Sequence, residues 1–327
     1  MSTKKRIFSG IQPTGLVHIG NYLGAIKNWV TLQSKYDSIF CVVDLHALTN
    51  PEAANQMQKK IFDLVTTLLA AGLDPKKCIL FVQSHIPEHT ELTWLLNTVT
   101  PISELERMTQ FKEKAKQFRQ NINMGLFDYP VLMTADILLY KTNLVPVGED
   151  QRQHVELARI IARKFNQRYG QTFVMPECLI QKSGARIMSL TDPTKKMSKS
   201  SPQSYLSITD SPSLIKDKIK KAVTDSGKEI EYTSKKPAIV NLMTIYQCFS
   251  ELSFTEIEKK YKGQGYAQFK DDLAKVVIKG LKSFQENKKT LEKKPSYIKN
   301  ILDQGAQKAR PLAQKTLQQV KQKMGLV

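Results

Sequence analysis

The sequence predicts an α/β fold: a doubly wound, Rossmann-like parallel sheet with a helical insertion, followed by a C-terminal helical domain. Three observations lead there. Short apolar runs recur through the first two hundred residues and are continuous rather than alternating, as in strands covered on both faces. Stripes of helical period separate these runs. After about residue 205 the strand pattern stops, and helical stripes set among lysines replace it.

The elements follow in order. Ile7-Phe8-Ser9 is a short apolar strand ending at Gly10, and Ile39-Phe-Cys-Val-Val43 is a β-branched run that stops at Asp44. Cys78-Ile-Leu-Phe-Val82 is the third strand and Leu144-Val-Pro-Val147 the fourth. Between them, Ile19, Leu23, Ile26 and Val30 fall at helical steps, as do Ile61, Val65, Leu68 and Leu69. Residues 91–141 form a longer, mostly helical stretch between two strands and read as an insertion into the sheet domain. Leu214-Ile215-Ile219-Val223, the stripe from Phe269 to Phe284, and Ile298-Ile301-Leu302 are the helical faces of the last part. The division expected is 1–204 for the sheet domain and 205–327 for a basic helical domain, with Pro193 to Pro202 as linker and the last helix packing back on the sheet domain.

Composition narrows the function. The 327 residues include 41% hydrophobic and 24% charged residues, enough for a sizeable core and unlike a disordered chain. The 49 basic residues outnumber the 30 acidic ones by 19, which favours anionic partners. Residues 201–327 hold 24 basic against 13 acidic residues, a net of +11 in the shorter part of the chain. Lysine enrichment alone also serves solubility, so charge motivates a search for a phosphate-handling site without establishing one. Cys41, Cys78, Cys178 and Cys248 are far apart and form no CxxC pair, against a zinc ribbon or disulfide framework. The basic start lacks a following apolar core of a signal peptide, and no run of roughly twenty apolar residues occurs. A reducing cytoplasm and no membrane are the expectation.

Three segments carry the chemistry. Gly10-Ile-Gln-Pro-Thr-Gly-Leu-Val-His-Ile-Gly-Asn-Tyr22 follows the first strand and opens the first helix. Unpaired N–H groups at a helix start favour an anion, Gly20 permits close approach of a nucleotide, and His18 and Asn21 add donors. The spacing is not that of a P-loop. A capped helix start with an incidental histidine has the same look. Lys195-Lys196-Met197-Ser198-Lys199-Ser200 lies between Pro193 and Pro202, so two lysines three residues apart can point at one polyphosphate from a loop. The third segment is Tyr129-Pro-Val-Leu-Met-Thr-Ala-Asp136, followed by Val145-Pro-Val-Gly-Glu-Asp-Gln151. It sets one carboxylate, Asp136, in apolar surroundings with Met133 one helical turn before it. Apolar walls with one acceptor suit a large apolar ligand that carries a single N–H.

His18-Ile-Gly-Asn21 resembles the HIGH signature of class I aminoacyl-tRNA synthetases, with Asn in place of the last His, and Lys196-Met-Ser-Lys-Ser200 is identical to their second signature. Phe8-Ser-Gly-Ile-Gln-Pro-Thr14, Glu104-Leu-Glu-Arg-Met-Thr-Gln-Phe-Lys112 and Gly184-Ala-Arg-Ile-Met-Ser189 extend the resemblance, which is to the tryptophanyl-tRNA synthetases of bacterial and organellar type, along nearly the whole chain. The resemblance implies a HIGH-type catalytic domain that activates L-tryptophan with ATP and Mg²⁺ and charges tRNA(Trp). It implies catalytic roles for His18, Lys114, Lys196 and Lys199. ATP would be held by Gln12, Pro13, Thr14, Gly20, Asn21, Gly148, Glu149, Asp150 and Ile187, with Lys196, Met197, Ser198, Lys199 and Ser200. Tryptophan would meet Asp136, Met133, Tyr129, Gln151, Phe8, His46, Val145 and Val147, and no protein-only metal cage is implied. A homodimer formed through the inserted region, with Phe127 near the interface, is implied as well. The competing readings are a tyrosyl-tRNA synthetase, against which Met133 and Asp136 argue, a synthetase-like RNA-binding regulatory paralogue, and a small-molecule nucleotidyltransferase of the same fold.

Overall fold

The computed structural model describes residues 4–13, 15–50, 55–112, 122–180, 186–198 and 201–326. Among these, β1 (Arg6–Ile11), β2 (Asp37–Val42), β3 (Cys78–Val82), β4 (Leu144–Val147) and β5 (Glu177–Ile180) form one parallel sheet in the order β3-β2-β1-β4-β5. Four of these strands match the apolar runs; β5 was not expected. It is a sheet edge of four residues, Glu-Cys-Leu-Ile, with exposed ends, so it lacks the buried run that marks the others.

Successive strand residues enter two different cores. Ile7, Phe40, Val42, Leu80 and Val82 belong to one apolar cluster, while Phe8, Ile39, Cys41, Phe81 and Val145 belong to the other. That is why the strands read as continuously apolar. After β1 the chain runs through α1 (Ile19–Asn21), a π-helical turn (Tyr22–Ile26) and α2 (Lys27–Lys35). After β2 come α3 (Asp44–Ala47) and α4 (Met57–Ala70). The insertion contains α5 (Glu88–Asn97), α6 (Ile102–Glu106) and α7 (Met124–Leu138), and α8 (Arg152–Tyr169) follows β4.

The last part is helical, as its stripes predict: α9 (Pro212–Lys221), α10 (Pro237–Phe249), α11 (Phe254–Lys260), α12 (Tyr266–Glu292) and α13 (Pro295–Lys323). Ser211 and Ser253 cap α9 and α11 with their hydroxyls, the latter in a capping box with Glu256. Leu242, Phe269 and Leu281 share the core that contains Ile7, Leu23 and Val65. Buried Lys288 ties α12 to α4 through Asp63, at 2.5 Å, and also meets Glu292 at 2.7 Å. α13 lies against β3, an edge strand, and Ala309, Ala313 and Val320 enter the core on the opposite face.

Gly305 sets that approach, because a Cβ there would run into the Leu80 carbonyl of β3. Replacing a mid-helix glycine by alanine ordinarily stabilises by about 1 kcal/mol. Here Gly305→Ala is expected to lower stability by roughly 2 kcal/mol through overpacking, read as a lower urea midpoint. A midpoint that rises would mean that α13 does not sit against β3 this closely.

Candidate active site

In a doubly wound sheet, ligands bind outside the carboxyl ends of the strands where the strand order reverses. Here the reversal lies between β1 and β4. β1 ends at Ile11 and leads into Gln12 and Pro13; β4 ends at Val147 and leads into Gly148, Glu149, Asp150 and Gln151. His46 follows β2, and Gln83 follows β3. Gln12, Pro13, His46 and residues 148–151, all predicted from sequence, therefore follow the carboxyl ends of separate strands, and Gln83 joins them.

His18 caps α1, and its Nδ1 accepts from the Asn21 N–H at 3.3 Å. In the neutral ring this bond leaves the proton on Nε2, a donor for an oxyanion. Gly20 packs close to that ring: a Cβ there would stand 3.0 Å from the His18 imidazole and 3.7 Å from Ile187. Ile187 in turn accepts from the Met197 N–H at 3.0 Å, and Ser189 N–H donates to the Lys195 carbonyl at 2.8 Å. The second signature is thus clamped beside the first, with Met197 buried and Lys196 and Ser198 exposed. Asn241 of α10 holds the same strap, accepting from Met188 N–H and donating to its carbonyl. Residues 206–208 brace His18 from the other side through Ile19 N–H to Leu206 O and Ile208 N–H to Val17 O. Thr14, Lys114, Lys199 and Ser200, with Gly184 and Ala185, lie outside the described residues.

Asp136 on α7 is only 1% exposed. Its Oδ1 accepts from His89 Nδ1 at 2.6 Å and from Gln83 Nε2 at 2.7 Å; its Oδ2 accepts from His46 Nε2 at 2.9 Å and from the same Gln83 nitrogen at 2.9 Å. Its immediate surroundings are therefore polar, a correction to the apolar setting read from sequence. Burial alone would push the carboxyl up, but the bonds from His46 and His89 outweigh it and hold it well below the usual carboxylate range. Apolar walls stand one step further out. Phe8, Val145 and Ala135 are buried in the cluster against which Met133 and Val147 pack. Phe8 stacks on Tyr140 at 5.5 Å, and Tyr140 bonds His89 at 2.8 Å. Tyr129 faces the His46 ring edge-on at 6.2 Å.

Other expected contacts are engaged locally. The Tyr129 hydroxyl is 2.9 Å from His154 Nε2, and burial pushes it up to about 12. Gln151 donates to Asp150 at 3.1 Å, and Arg152 pairs with Glu149 at 2.9 Å. Gly148 leaves room for Asp150, whose Oδ1 would lie 2.6 Å from a Cβ there. Sequence reasoning missed Gln83, His89 and Tyr140. The available signal was that Gln83 and Ser84 directly follow a buried strand. Asp44, expected only as a strand stop, joins that loop by accepting from Ser84 N–H at 3.0 Å.

The sequence profile of the class I tRNA synthetases (W and Y) matches residues 2–282. The chain belongs to that family. Within it, the tryptophan–tRNA ligase of Caldanaerobacter subterraneus is 53% identical over 99% of both chains, and that of Helicobacter pylori strain 26695 is 50% identical over 99% of both. A solved tryptophanyl-tRNA synthetase from Campylobacter jejuni, in complex with ADP and tryptophan, superposes with a TM-score of 0.86 at 37% identity, over 98% of this chain and all of that one. The Mycoplasma pneumoniae synthetase gives 0.87 at 34% identity, over 99% and 98% of the two chains.

The lowered pKa of Asp136 has a definite stability signature. A carboxylate held below its unfolded value stabilises the fold fully above the unfolded pKa of about 3.9 and loses that contribution as pH falls through the folded value. Asp136→Asn is expected to cost roughly 3 kcal/mol near pH 7, since it strips the charge from buried donors. The cost should shrink as pH falls below the unfolded pKa of about 3.9. Urea titrations at several pH values check this; a cost that grows on acidification would contradict the charge state.

Proposed function

We propose that this chain activates L-tryptophan with ATP, giving tryptophanyl-AMP and pyrophosphate, and then transfers the tryptophanyl group to the 3′ end of tRNA(Trp) in the cytoplasm. The observation that carries the reading is Asp136: a buried carboxylate held by His46 and Gln83 at the ends of β2 and β3 and by His89 of α5, with Phe8, Met133, Val145 and Val147 in the apolar cluster around it. An ionised acceptor rewards an indole N–H and gives a plain hydrocarbon ring no bond. The near-full-length ligase relatives support the same substrate.

The first step is in-line attack of the tryptophan carboxylate on the α-phosphorus. The nucleophile is already charged, so catalysis consists of alignment and of stabilising charge on the phosphates. His18 Nε2–H, Gln12 and Thr14 donate near the reacting centre, and Gly20, Asn21 and Ile187 take the adenosine side. Gly148, Glu149 and Asp150 hold the ribose, whose diol suits carboxylate acceptors. Lys196, Lys199 and Lys114 neutralise pyrophosphate as it leaves, with Met197 anchoring the strap and Ser198 and Ser200 adding hydroxyls. Tyr129 and Gln151 hold the amino group. Among the described residues no three His, Cys, Asp or Glu side chains gather where a metal ion could sit. Mg²⁺ would accompany the triphosphate, whose oxygens suit it, and would supply charge neutralisation there.

The helical part, residues 205–327, is the proposed tRNA surface, its net +11 supplying salt-dependent backbone attraction. No helix among the described residues is long and apolar enough to cross a membrane. Trp94, Ile102 and Met124 of the inserted region are exposed large apolar side chains, consistent with a homodimer contact there.

The direct test is charging of a tRNA with a CCA anticodon by tryptophan and ATP; absence of tryptophan-dependent charging would refute the reading. Lys196→Ala should lower tryptophan-dependent pyrophosphate exchange by roughly a hundredfold while tryptophan affinity, measured by calorimetry, stays unchanged. Exchange near the wild-type rate would remove this lysine from the phosphate chemistry.

A further inference from the structure

Asp136 does not set its own geometry. Its backbone belongs to α7, yet its hydrogen bonds come from side chains at the ends of β2 and β3 and from α5. Among these donors His89 makes the shortest bond, 2.6 Å, and is fully buried. Its other nitrogen, Nε2, lies 2.8 Å from the Tyr140 hydroxyl. Burial, with the nearby Cys41 and Asp136, raises Tyr140 well above its ordinary value and keeps the phenol protonated. For a neutral ring one proton order fits both contacts: Tyr140 O–H donates to Nε2, and Nδ1–H donates to the carboxylate.

The ring cannot easily turn away from this task. Phe81 and Tyr140 flank it at centroid distances of 5.8 and 5.6 Å, and Tyr140 is itself held flat on Phe8 at an interplanar angle of 9°. The series Phe8, Tyr140, His89, Asp136 therefore runs from an apolar wall residue to the acceptor, with rotation limited at each link. On the opposite carboxylate edge, His46 Nε2 bonds Oδ2 at the longer 2.9 Å.

We infer that His89 is a positioning residue for amino-acid recognition: it holds the Asp136 carboxylate in the orientation that accepts the indole N–H, and Tyr140 fixes the His89 tautomer that does so. This rests on the reading that Asp136 is the indole acceptor. His89 touches no substrate atom in this scheme; it acts through Asp136. Its loss leaves a buried carboxyl with weaker support for its charge and one less restraint on its rotation. Recognition of the N–H should suffer while the apolar walls, which bind the rest of the ring, remain.

The test compares L-tryptophan with its benzothiophene analogue, in which sulfur replaces the indole N–H, by calorimetry on the full chain. Wild type should favour tryptophan by roughly tenfold to a hundredfold, the range of one hydrogen bond to a charged acceptor. His89→Leu should bring that ratio close to one, chiefly by weakening tryptophan. His89→Asn should largely restore it, because an amide N–H can stand where Nδ1–H stood. Tyr140→Phe, which keeps the ring stack and removes only the hydroxyl, should reduce the ratio to an intermediate value and tests the inference even where His89→Leu does not fold. An unchanged ratio in His89→Leu or Tyr140→Phe overturns the inference, as does an equal loss for both ligands, which would mark a purely structural role. A wild-type ratio near one overturns the reading of Asp136 as well, whereas wild-type discrimination that survives His89→Leu overturns this inference alone.

Discussion

A carboxylate withdrawn from water costs several kcal/mol unless its lone pairs are met. Asp136 meets that condition only because His46, Gln83 and His89 reach it together. None of these residues is near it in sequence, so the bond set fixes the end of β2, the end of β3, α5 and α7 relative to one another. Ser84 binding Asp44 ties the two strand ends again, just beside the carboxylate. The orientation of this acceptor is in this sense a product of the fold's own hydrogen-bond requirements.

The two signature segments are held on a different principle. Among the described residues, backbone straps do the positioning. Residues 187–189 pair with 195–197, and 17–19 pair with 206–208, so both signature segments are laced by main-chain bonds. The 205–210 segment is anchored by Lys218, which pairs with Asp210 at 2.7 Å and sits over the Tyr205 ring. Because Lys218 lies on α9 and Asn241 on α10, the helical part of the chain supports the straps as well as carrying charge. Exposed lysines on a braced strap suit a task in which charge must be met as it develops.

Much of this was readable in the residues. Continuous apolar runs gave four strands because their side chains enter two cores, as Phe40 and Cys41 do in succession. β5 escaped because an edge strand with exposed ends has no such run. At the site, the two signatures announce themselves because phosphate handling concentrates Gly, His, Lys and Ser in short segments. Asp136 stood out as a lone carboxylate among apolar residues, but its neighbours in space did not. Gln83, His89 and Tyr140 belong to segments whose patterns are ordinary, and only the pairing of β2 with β3 and the packing of α5 on α7 bring them together. Periodicity locates elements; it does not say which side chains will share an acceptor.

The central claim is that one buried, ionised acceptor among apolar walls selects the amino acid. ATP–pyrophosphate exchange with each of the twenty amino acids tests it most directly. Exchange supported by tryptophan and by no other amino acid at comparable concentration is the result expected from Asp136 and its surroundings. Exchange with tyrosine or phenylalanine at a similar rate would contradict it.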